Sequence, residues 1–316
     1  MTKTALIIGL SVVIVATDGG TPCVLVTSRQ GDLRALPFGA FDPESHRTFE
    51  LALRGWVREQ TGFDLGYVEQ LYTFGDRDRE TPEATLIDVP QNARVVSVGY
   101  LGLTPEQPPL PEAFEARWRG WYGHFPWEDH RNGRPAIIDT EIAPRLRTWA
   151  AGSDERQVRA NLAFSLDGQD WTDDRVLERY ELLYEAGLVT ECARDAGLPL
   201  PDVQLGEPMA SDHRRILATA MGRLRGKIRY RPVVFELMPE RFTLSALQTT
   251  CEAILGQPLH KQNFRRALDR MDMVEGTGEM MSETGGRPAE LYRFKRAKFR
   301  RSAALGIATP ALKRDS

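Results

Sequence analysis

The sequence predicts an α+β fold, and three observations point to it. Over residues 5–103, apolar patterns follow the order strand, strand, turn, helix, strand, strand. The proline-rich stretch TPEQPPLPEAF at 104–114 is unsuited to regular structure and indicates a connector. The last portion of the chain follows the order helix, short turn, helix, β-hairpin. A chain of 316 residues is long enough to hold two domains of these kinds.

Composition places the chain among ordinary globular proteins, since 41% of its residues are hydrophobic. The N-terminal run ALIIGLSVVIVA is interrupted by a glycine and a serine and lacks a basic lead and a cleavage site. It therefore predicts a buried strand and not a signal segment. Cys23, Cys192 and Cys251 lie far apart without metal-ligand spacing. We expect neither a disulfide framework nor a zinc site, and a reducing cytoplasm fits best.

The first elements are predicted to be a hairpin, a helix and a second pair of strands. Residues 5–16 and 23–28 are β-branched runs separated by the turn signal DGGTP. A helix follows with Phe49 and Leu53 on one face, and Gly62 ends it. The segments YVEQLYTFGD and RVVSVGYLGL have the composition of strands, with the charged loop RDRETPE between them.

Helical spacing dominates the middle of the chain. Three segments show it: AIIDTEIAPRLRTWAA, DERQVRANLAFSL and DDRVLERYELLYEAGLVTECARDAG. Beyond them, SDHRRILATAMGRLRGKI predicts another helix and YRPVVFELM predicts a further strand. His124 and His130 lie in HFPWEDH, where six-residue spacing without another His or Cys favours a surface loop over a metal site.

The C-terminal elements follow the order of a winged helix-turn-helix. Thr243 is a candidate N-cap for a helix that ends at Gly256. A second helix carries Phe264 and Leu268 on its inner face, and GRPAELYRF supplies a strand after a glycine turn. Residues 209–316 hold 21 Lys+Arg against 11 Asp+Glu, about +10, whereas the preceding residues carry about −13. This asymmetry indicates a polyanionic partner for the C-terminal end.

The second of these helices has the side chains that a DNA recognition helix needs. Arg and Lys donate to guanine, and Asn and Gln bond to adenine, in the major groove. The predicted base-reading residues are Lys261, Gln262, Asn263, Arg265 and Arg266, with Arg270 on the same surface. The predicted phosphate contacts are Thr243, Ser245, Gln248, Arg287 and Arg293, with Lys295 and Arg296 behind them. The alternative is a basic amphipathic helix that packs on an acidic protein partner.

Several segments together resemble a known family. These are LPFGAFDP, VREQTGF, QLYTFGDRDR and RVVSVGYLGL, followed downstream by SDHRRIL, RLRGKIRY and PVVFELMPERFTLSALQTTCEAILGQPLHKQNFRR. They resemble the Nudix-related transcriptional regulators that repress bacterial NAD-biosynthesis genes, most of all the NadQ-type branch. The resemblance covers roughly residues 5–103 and 209–297.

The fold implied by the resemblance is a Nudix-like α/β sandwich with a helical insertion and a C-terminal winged helix-turn-helix domain. The sensor domain would begin with residues 1–114 and be completed by a helix and a strand in 209–238. Residues 115–208 would form the helical insertion, and residues 239–316 the DNA-binding domain.

In Nudix hydrolases a helix carries Arg-Glu-apolar-any-Glu-Glu-any-Gly, whose carboxylates hold magnesium against a pyrophosphate. Here RGWVREQTGF keeps Glu59 and Gly62, but it has Trp56 where a carboxylate is required and Gln60 in the glutamate pair. Glu50 and Glu59 are roughly 13 Å apart along a helix, too far to share one ion. We therefore expect no catalytic residue, no metal site and no enzymatic activity. An active pyrophosphatase acting on ADP-ribose or related nucleotides is the alternative.

The resemblance also implies that the Nudix-like domain binds an adenine-containing pyrophosphate, such as ADP-ribose, NAD(H) or ATP, as an effector and requires no cofactor. The predicted effector-binding residues are Arg29, Arg77 and Arg79 for the phosphates, Phe38 and Tyr100 for the adenine, His213 for a ribose, and Gly39. The alternatives are that the arginines are exposed loop charges and that the aromatic rings belong to the core. His213 would then only pack, and Asp212 is expected to cap its helix.

The sequence thus favours a cytoplasmic, nucleoid-associated bacterial repressor without membrane contact. A homodimer is expected, because two recognition helices on a palindromic operator multiply a modest affinity. Effector binding would change the spacing of the two winged helices. A nucleotide-binding adaptor whose basic domain contacts protein stays open as a further alternative.

Overall fold

A computed structural model describes residues 6–28, 33–76, 94–110, 115–281 and 288–297. Its main sheet has seven strands: β1 Leu6–Asp18, β2 Thr21–Ser28, β3 Arg34–Ala35, β4 Phe38–Ala40, β5 Tyr67–Phe74, β6 Arg94–Leu103 and β7 Ala116–Gly120. The order is β3-β2-β1-β6-β5, with β4 also paired to β1 and β7 to β2. β1 is parallel to β6 and antiparallel to β2 and β4. The predicted hairpin and second strand pair are confirmed.

β1 is the central strand because its apolar run has no polar face. Residues Leu10 and Val12 through Ala16 are fully buried, and both edges of the strand are paired. The turn to β2 needs positive φ at two successive residues, and Gly19 and Gly20 supply it at 52° and 84°. The N-terminal run is therefore the centre of the sheet, as its composition predicts.

One helix covers each face of the sheet. Helix α1, Phe49–Thr61, packs Leu53 and Val57 against the face that carries Val12. Thr48 caps its start by accepting a hydrogen bond from the Leu51 amide at 3.2 Å, and Gly62 ends it at φ 69°. Helix α6, His213–Ile228, packs on the opposite face, which carries Val13 and Val15.

The middle of the chain is mostly helical, as predicted. After a π-helical turn at Ile138–Ile142 come α2 Ala143–Trp149, α3 Asp154–Phe164, α4 Val176–Glu185 and α5 Thr190–Asp195. These helices share one hydrophobic core with α6 and the sheet. The segment nevertheless begins with β7, a strand of the main sheet that the helical expectation for 115–208 did not include.

Two local expectations for this region are wrong. Residues Val233–Leu237 form a 3-10 helix and not a strand, because the Pro232 and Phe235 carbonyls accept hydrogen bonds from amides three residues later. A short apolar run fits a buried helix as well as a strand. The HFPWEDH segment is not a surface loop, since His124 is fully buried and His130 half-buried.

The C-terminal elements form a winged helix. Its parts are β8 Phe242–Thr243, α7 Leu244–Leu255, α8 Lys261–Met271, β9 Val274–Met281 and β10 Ala289–Phe294, with strand order β8-β10-β9. A separate apolar cluster around Leu247 and Leu268 joins α7 to α8. Ile254, near the end of α7, belongs instead to the core that the main sheet shares with α6. The first helix of the winged helix is therefore shared between the two domains.

A buried charge cluster surrounds the end of α7. Glu128 accepts hydrogen bonds from Arg179 on α4 at 2.5 and 2.9 Å and from Arg225 on α6 at 2.6 Å, and all three side chains are fully buried. Burial alone would raise the pKa of Glu128, but the two guanidiniums outweigh burial and lower it. We call these three residues the Glu128 triad.

The Glu128 triad and its neighbours bind the last carbonyls of α7. Arg225 Nε donates to the Ile254 carbonyl at 2.9 Å, the Tyr122 hydroxyl donates to Ala253 at 2.7 Å, and the His130 amide donates to Gly256 at 2.7 Å. Gly256 has φ 69°, and a Cβ there would lie 2.4 Å from the Glu128 carbonyl oxygen. Residues outside the winged helix thus satisfy the carbonyls that a helix end leaves unpaired.

Within the described residues, no helix combines the length and the apolar character needed to cross a bilayer.

Replacing Glu128 by Gln should lower the free energy of unfolding by about 3–5 kcal/mol, because two buried guanidiniums lose their counter-charge. Urea denaturation followed by circular dichroism measures this. Glu185→Gln is the matched control: its ion pair with Arg159 is exposed, so its loss should cost under about 1 kcal/mol. Equal effects of the two substitutions would contradict the role given to the Glu128 triad.

The same carboxylate should make stability depend on pH. Its folded-state pKa lies below the ordinary value of 4.5, so its contribution is complete above that value and is lost as pH falls through the folded pKa. As pH falls below the ordinary value of 4.5, unfolding free energies should fall less steeply in Glu128→Gln than in the unmodified chain. Parallel pH profiles for the two proteins would refute this assignment.

Candidate nucleic-acid interface and sensor site

Trp56 and Gln60 lie at positions of α1 that depart from the Nudix motif, and both form hydrogen bonds to the backbone of β4. Trp56 Nε1 donates to the Ala40 carbonyl at 3.0 Å. The Gln60 amide makes two hydrogen bonds with the Phe38 backbone, accepting from its amide at 3.1 Å and donating to its carbonyl at 2.5 Å. The side chains at two positions that would carry carboxylates in a Nudix hydrolase therefore bind α1 to β4 through hydrogen bonds.

Gly39 allows this contact because it has no side chain. A Cβ at this position would lie 2.3 to 2.4 Å from three atoms of the Trp56 indole. The indole therefore packs directly on the β4 backbone, at the glycine that the sequence placed in the effector site. The effector-binding role of Gly39 stays a prediction.

The remaining carboxylates of α1 point elsewhere. Glu50 forms an ion pair with Arg54 at 2.8 Å, and Glu59 is exposed. Throughout the described ranges, no group of three or more His, Cys, Asp or Glu side chains could hold a metal ion. The helix therefore lacks the convergent oxygen ligands that a divalent cation requires.

Three other predicted effector residues are buried. Phe38 is 4% exposed, and its ring lies 5.7 Å from the ring of His213. His213 Nδ1 accepts a hydrogen bond from the Leu36 amide at 3.0 Å, so the imidazole ties α6 to the chain before β4. Tyr100 lies in the core beneath α1, and burial raises the pKa of its hydroxyl.

Asp212 occupies the N-cap position of α6, but its side chain makes no capping hydrogen bond. Its carboxylate lies 3.7 Å from the Arg215 guanidinium one turn later. Asp212 is therefore at the N-cap as predicted, but the capping hydrogen bond expected from its side chain does not form. Four predicted site residues lie outside the described residues: Arg29, Arg77, Arg79 and Arg287.

Helix α8 presents a polar, cationic surface to solvent. Phe264 and Leu268 pack inward onto the apolar cluster of the winged helix. The exposed residues of this helix are Lys261, Gln262, Asn263, Arg266, Asp269, Arg270 and Met271, and Arg265 is half-buried. Its first turn contains no acidic residue. Among the described residues, no carboxylate forms an ion pair with any of these cations, so they are available to an external anion.

The residues proposed for phosphate contact divide into two groups. Ser245 is exposed near the start of α7. Thr243 instead caps α7 by accepting from the Ala246 amide at 3.0 Å, and Gln248 donates to the Leu259 carbonyl in the α7–α8 turn at 2.9 Å. These two side chains build the helix-turn-helix itself.

The cations of β10 and its end all have intramolecular partners. Arg293 pairs with Glu275 at 2.7 Å, and Lys295 pairs with Asp272 at 2.5 Å. Arg296 lies 3.5 Å from Glu236. Their predicted contact with phosphates would require exchange of these exposed pairs.

The Glu128 triad was not predicted from the sequence. Its members lie 51 and 97 residues apart in sequence, and no local pattern connects them. An acidic residue within the apolar segment HFPWEDH was the available signal, because a buried carboxylate needs cationic partners from elsewhere.

Comparison with known proteins supports the architecture. Residues 234–294 match the family model of the NrtR DNA-binding winged helix domain. The ADPR responsive transcriptional repressor NtrR of Acinetobacter baylyi is 44% identical over 86 residues, 27% of this chain and 34% of that protein. The match thus spans about a third of the curated relative.

Solved structures resemble the chain over most of its length. NrtR of Shewanella oneidensis in complex with a 27mer DNA is 21% identical, with a TM-score of 0.53 over 91% of this chain and 93% of that one. A MutT/nudix family protein of Enterococcus faecalis is 18% identical, with a TM-score of 0.53 over 93% and 88%. These likenesses confirm the predicted fold class, and the family model confirms the predicted resemblance in the C-terminal domain.

Replacing Gly39 by Ala should lower the free energy of unfolding by about 1–3 kcal/mol, because the new methyl group displaces the Trp56 indole. Thermal unfolding followed by tryptophan fluorescence reports the loss of stability and the displacement of the Trp56 indole. Gly55→Ala on α1 is the matched control: a Cβ there meets nothing within 4 Å, so alanine should stabilise the helix by up to about 1 kcal/mol. A Gly39→Ala protein as stable as Gly55→Ala would show that the indole does not pack there.

Proposed function

We propose that this chain is a DNA-binding transcriptional repressor whose Nudix-like domain binds ADP-ribose, or a related adenine nucleotide, and does not hydrolyse it. The observation that carries the proposal is the surface of α8, whose exposed cations form no ion pair within the described residues. The winged-helix family match covers this helix, and a relative 44% identical over 86 residues is named as an ADPR responsive repressor.

DNA binding rests on the chemistry of that surface. A helix inserted in the major groove places long donors on base edges, and Arg, Lys, Asn and Gln are the side chains that do so. Lys261, Asn263 and Arg266 lie within the first two turns of α8 and are exposed. A homodimer would present two such helices to a palindromic operator, for which we propose the control regions of NAD-biosynthesis genes.

Binding without hydrolysis rests on the closed face of α1. Trp56 and Gln60 are bonded to β4, and the carboxylates of α1 do not converge, so a magnesium ion would find no set of oxygen ligands there. A sensor benefits from this arrangement, because a protein that destroyed its signal would report flux and not concentration.

Substituting Arg266 by Ala should weaken binding to duplex DNA about 5- to 150-fold if the side chain reads a base, the equivalent of about 1–3 kcal/mol. Fluorescence anisotropy with DNA from the region upstream of an NAD-synthesis operon measures the affinity and its dependence on salt. Arg147→Ala, an exposed arginine on α2, is the control and should leave the affinity unchanged. An unchanged affinity in Arg266→Ala would favour a protein partner for α8.

Incubation of the pure protein with magnesium and ADP-ribose, NAD or ATP should release no AMP, because the ligands for the metal ion are missing from α1. Chromatography of the nucleotides after incubation is the measurement. Enzymatic release of AMP, lost in a Glu59→Gln variant, would establish the pyrophosphatase alternative in place of the sensor.

A further inference from the structure

Three arginines converge on one face of the main sheet, away from α1. On β7, Arg117 is paired with Val26 and Arg119 with Val24, while Arg34 on β3 is paired with Ser28 of the same strand β2. Directly paired residues project to the same face, and alternate residues of a strand share a face. All three side chains therefore project from the face that α6 covers further along, and Arg117 and Arg119 are roughly 7 Å apart along β7.

The charges in this group are incompletely compensated. Arg34 contacts the carboxylate of Glu207, and Glu115 lies exposed at the start of the same row on β7. Within the part of the chain that the structure describes, Arg117 and Arg119 form no ion pair. Burial lowers the pKa of Arg34, and the neighbouring Arg119 and Arg117 lower it further. Like charges held together in this way favour a bound anion.

Two buried polar atoms beside the group have no hydrogen-bond partner among the described residues, Arg119 Nε and His124 Nε2. His124 is fully buried, and its Nδ1 lies 2.9 Å from the Glu207 carbonyl, so Nδ1 must carry the proton and donate. Burial and the cations Arg214, Arg34 and Arg119 lower the pKa of His124 to about 3. The imidazole is therefore neutral and adds no positive charge to the group.

We propose that Arg34, Arg117 and Arg119 form an anion site for the phosphates of a nucleotide. This proposal rests on the proposed function and assigns the effector's phosphates to a group that the sequence analysis did not include. Guanidiniums bind phosphate oxygens through paired N–H donors, and the closed face of α1 offers no comparable group.

The position of the site connects it to α6. The Arg34 carbonyl accepts a hydrogen bond from the Ala210 amide at 2.8 Å, three residues before α6 begins. Helix α6 carries Arg225, which bonds to the last turn of α7. A ligand that draws the three arginines together thus acts on the segment that leads into the helix supporting the DNA-binding domain.

The test is calorimetric titration of the full chain with inorganic pyrophosphate and, separately, with ADP-ribose. In Arg117→Gln/Arg119→Gln, both affinities should fall at least about tenfold, a typical loss for two charge-assisted contacts. Arg147→Gln, an exposed arginine on α2, should bind both probes as the unmodified chain does. Because the substitutions also remove repulsion, the ligand-free double variant should melt at the same temperature as the unmodified chain or above it.

Failure of this site and failure of the proposed function give different results. The double variant should still bind operator DNA with unchanged affinity, but ADP-ribose should no longer alter that affinity. Unchanged binding of ADP-ribose by the double variant, or no binding of either probe by the unmodified chain, would overturn the anion site. If the double variant does not fold, the single substitution Arg117→Gln at an exposed position is used instead. It should lower the affinity for both probes by a smaller factor.

Discussion

The Glu128 triad is the constraint on which the relation between the two domains depends. A carboxylate removed from water between two guanidiniums tolerates little displacement, because each lost hydrogen bond leaves a buried charge unpaired. The three side chains come from the segment before the helices, from α4 and from α6, and Arg225 extends the network to the Ile254 carbonyl of α7. One hydrogen-bond network therefore connects the segment around Glu128 with α4, α6 and α7.

This arrangement explains how a sensor could act on DNA without a flexible hinge at α7. Ile254 lies in the sensor core, and Leu247 of the same helix lies in the core of the winged helix. On the β1–β2 turn, a Cβ at Gly20 would lie 2.7 Å from Thr249 of α7, so the helix is also in close contact there. In the proposed function, the effector would change the orientation of whole subunits and leave the packing of α7 against both cores unchanged.

The sequence predicted the elements whose signals are local. Gly62 and Gly256 end helices in the left-handed conformation that glycine favours, and Thr243 supplies the predicted N-cap of α7. The degenerate helix α1 was also recognisable, since Trp56 cannot act as a metal ligand. What Trp56 and Gln60 do instead depends on β4, which the sequence does not place beside them. Tertiary contacts likewise determine the burial of His124 and the pairing of β7 with β2.

The central claim is that nucleotide binding in the sensor domain and DNA binding by α8 are coupled, and thermodynamic linkage tests it most directly. The affinity for ADP-ribose is measured with and without saturating operator DNA, and the affinity for that DNA with and without saturating ADP-ribose. We expect the two ratios to be equal and to lie between about 5 and 150, the usual range of allosteric coupling. Ratios of one in both directions, with both ligands bound, would contradict the account.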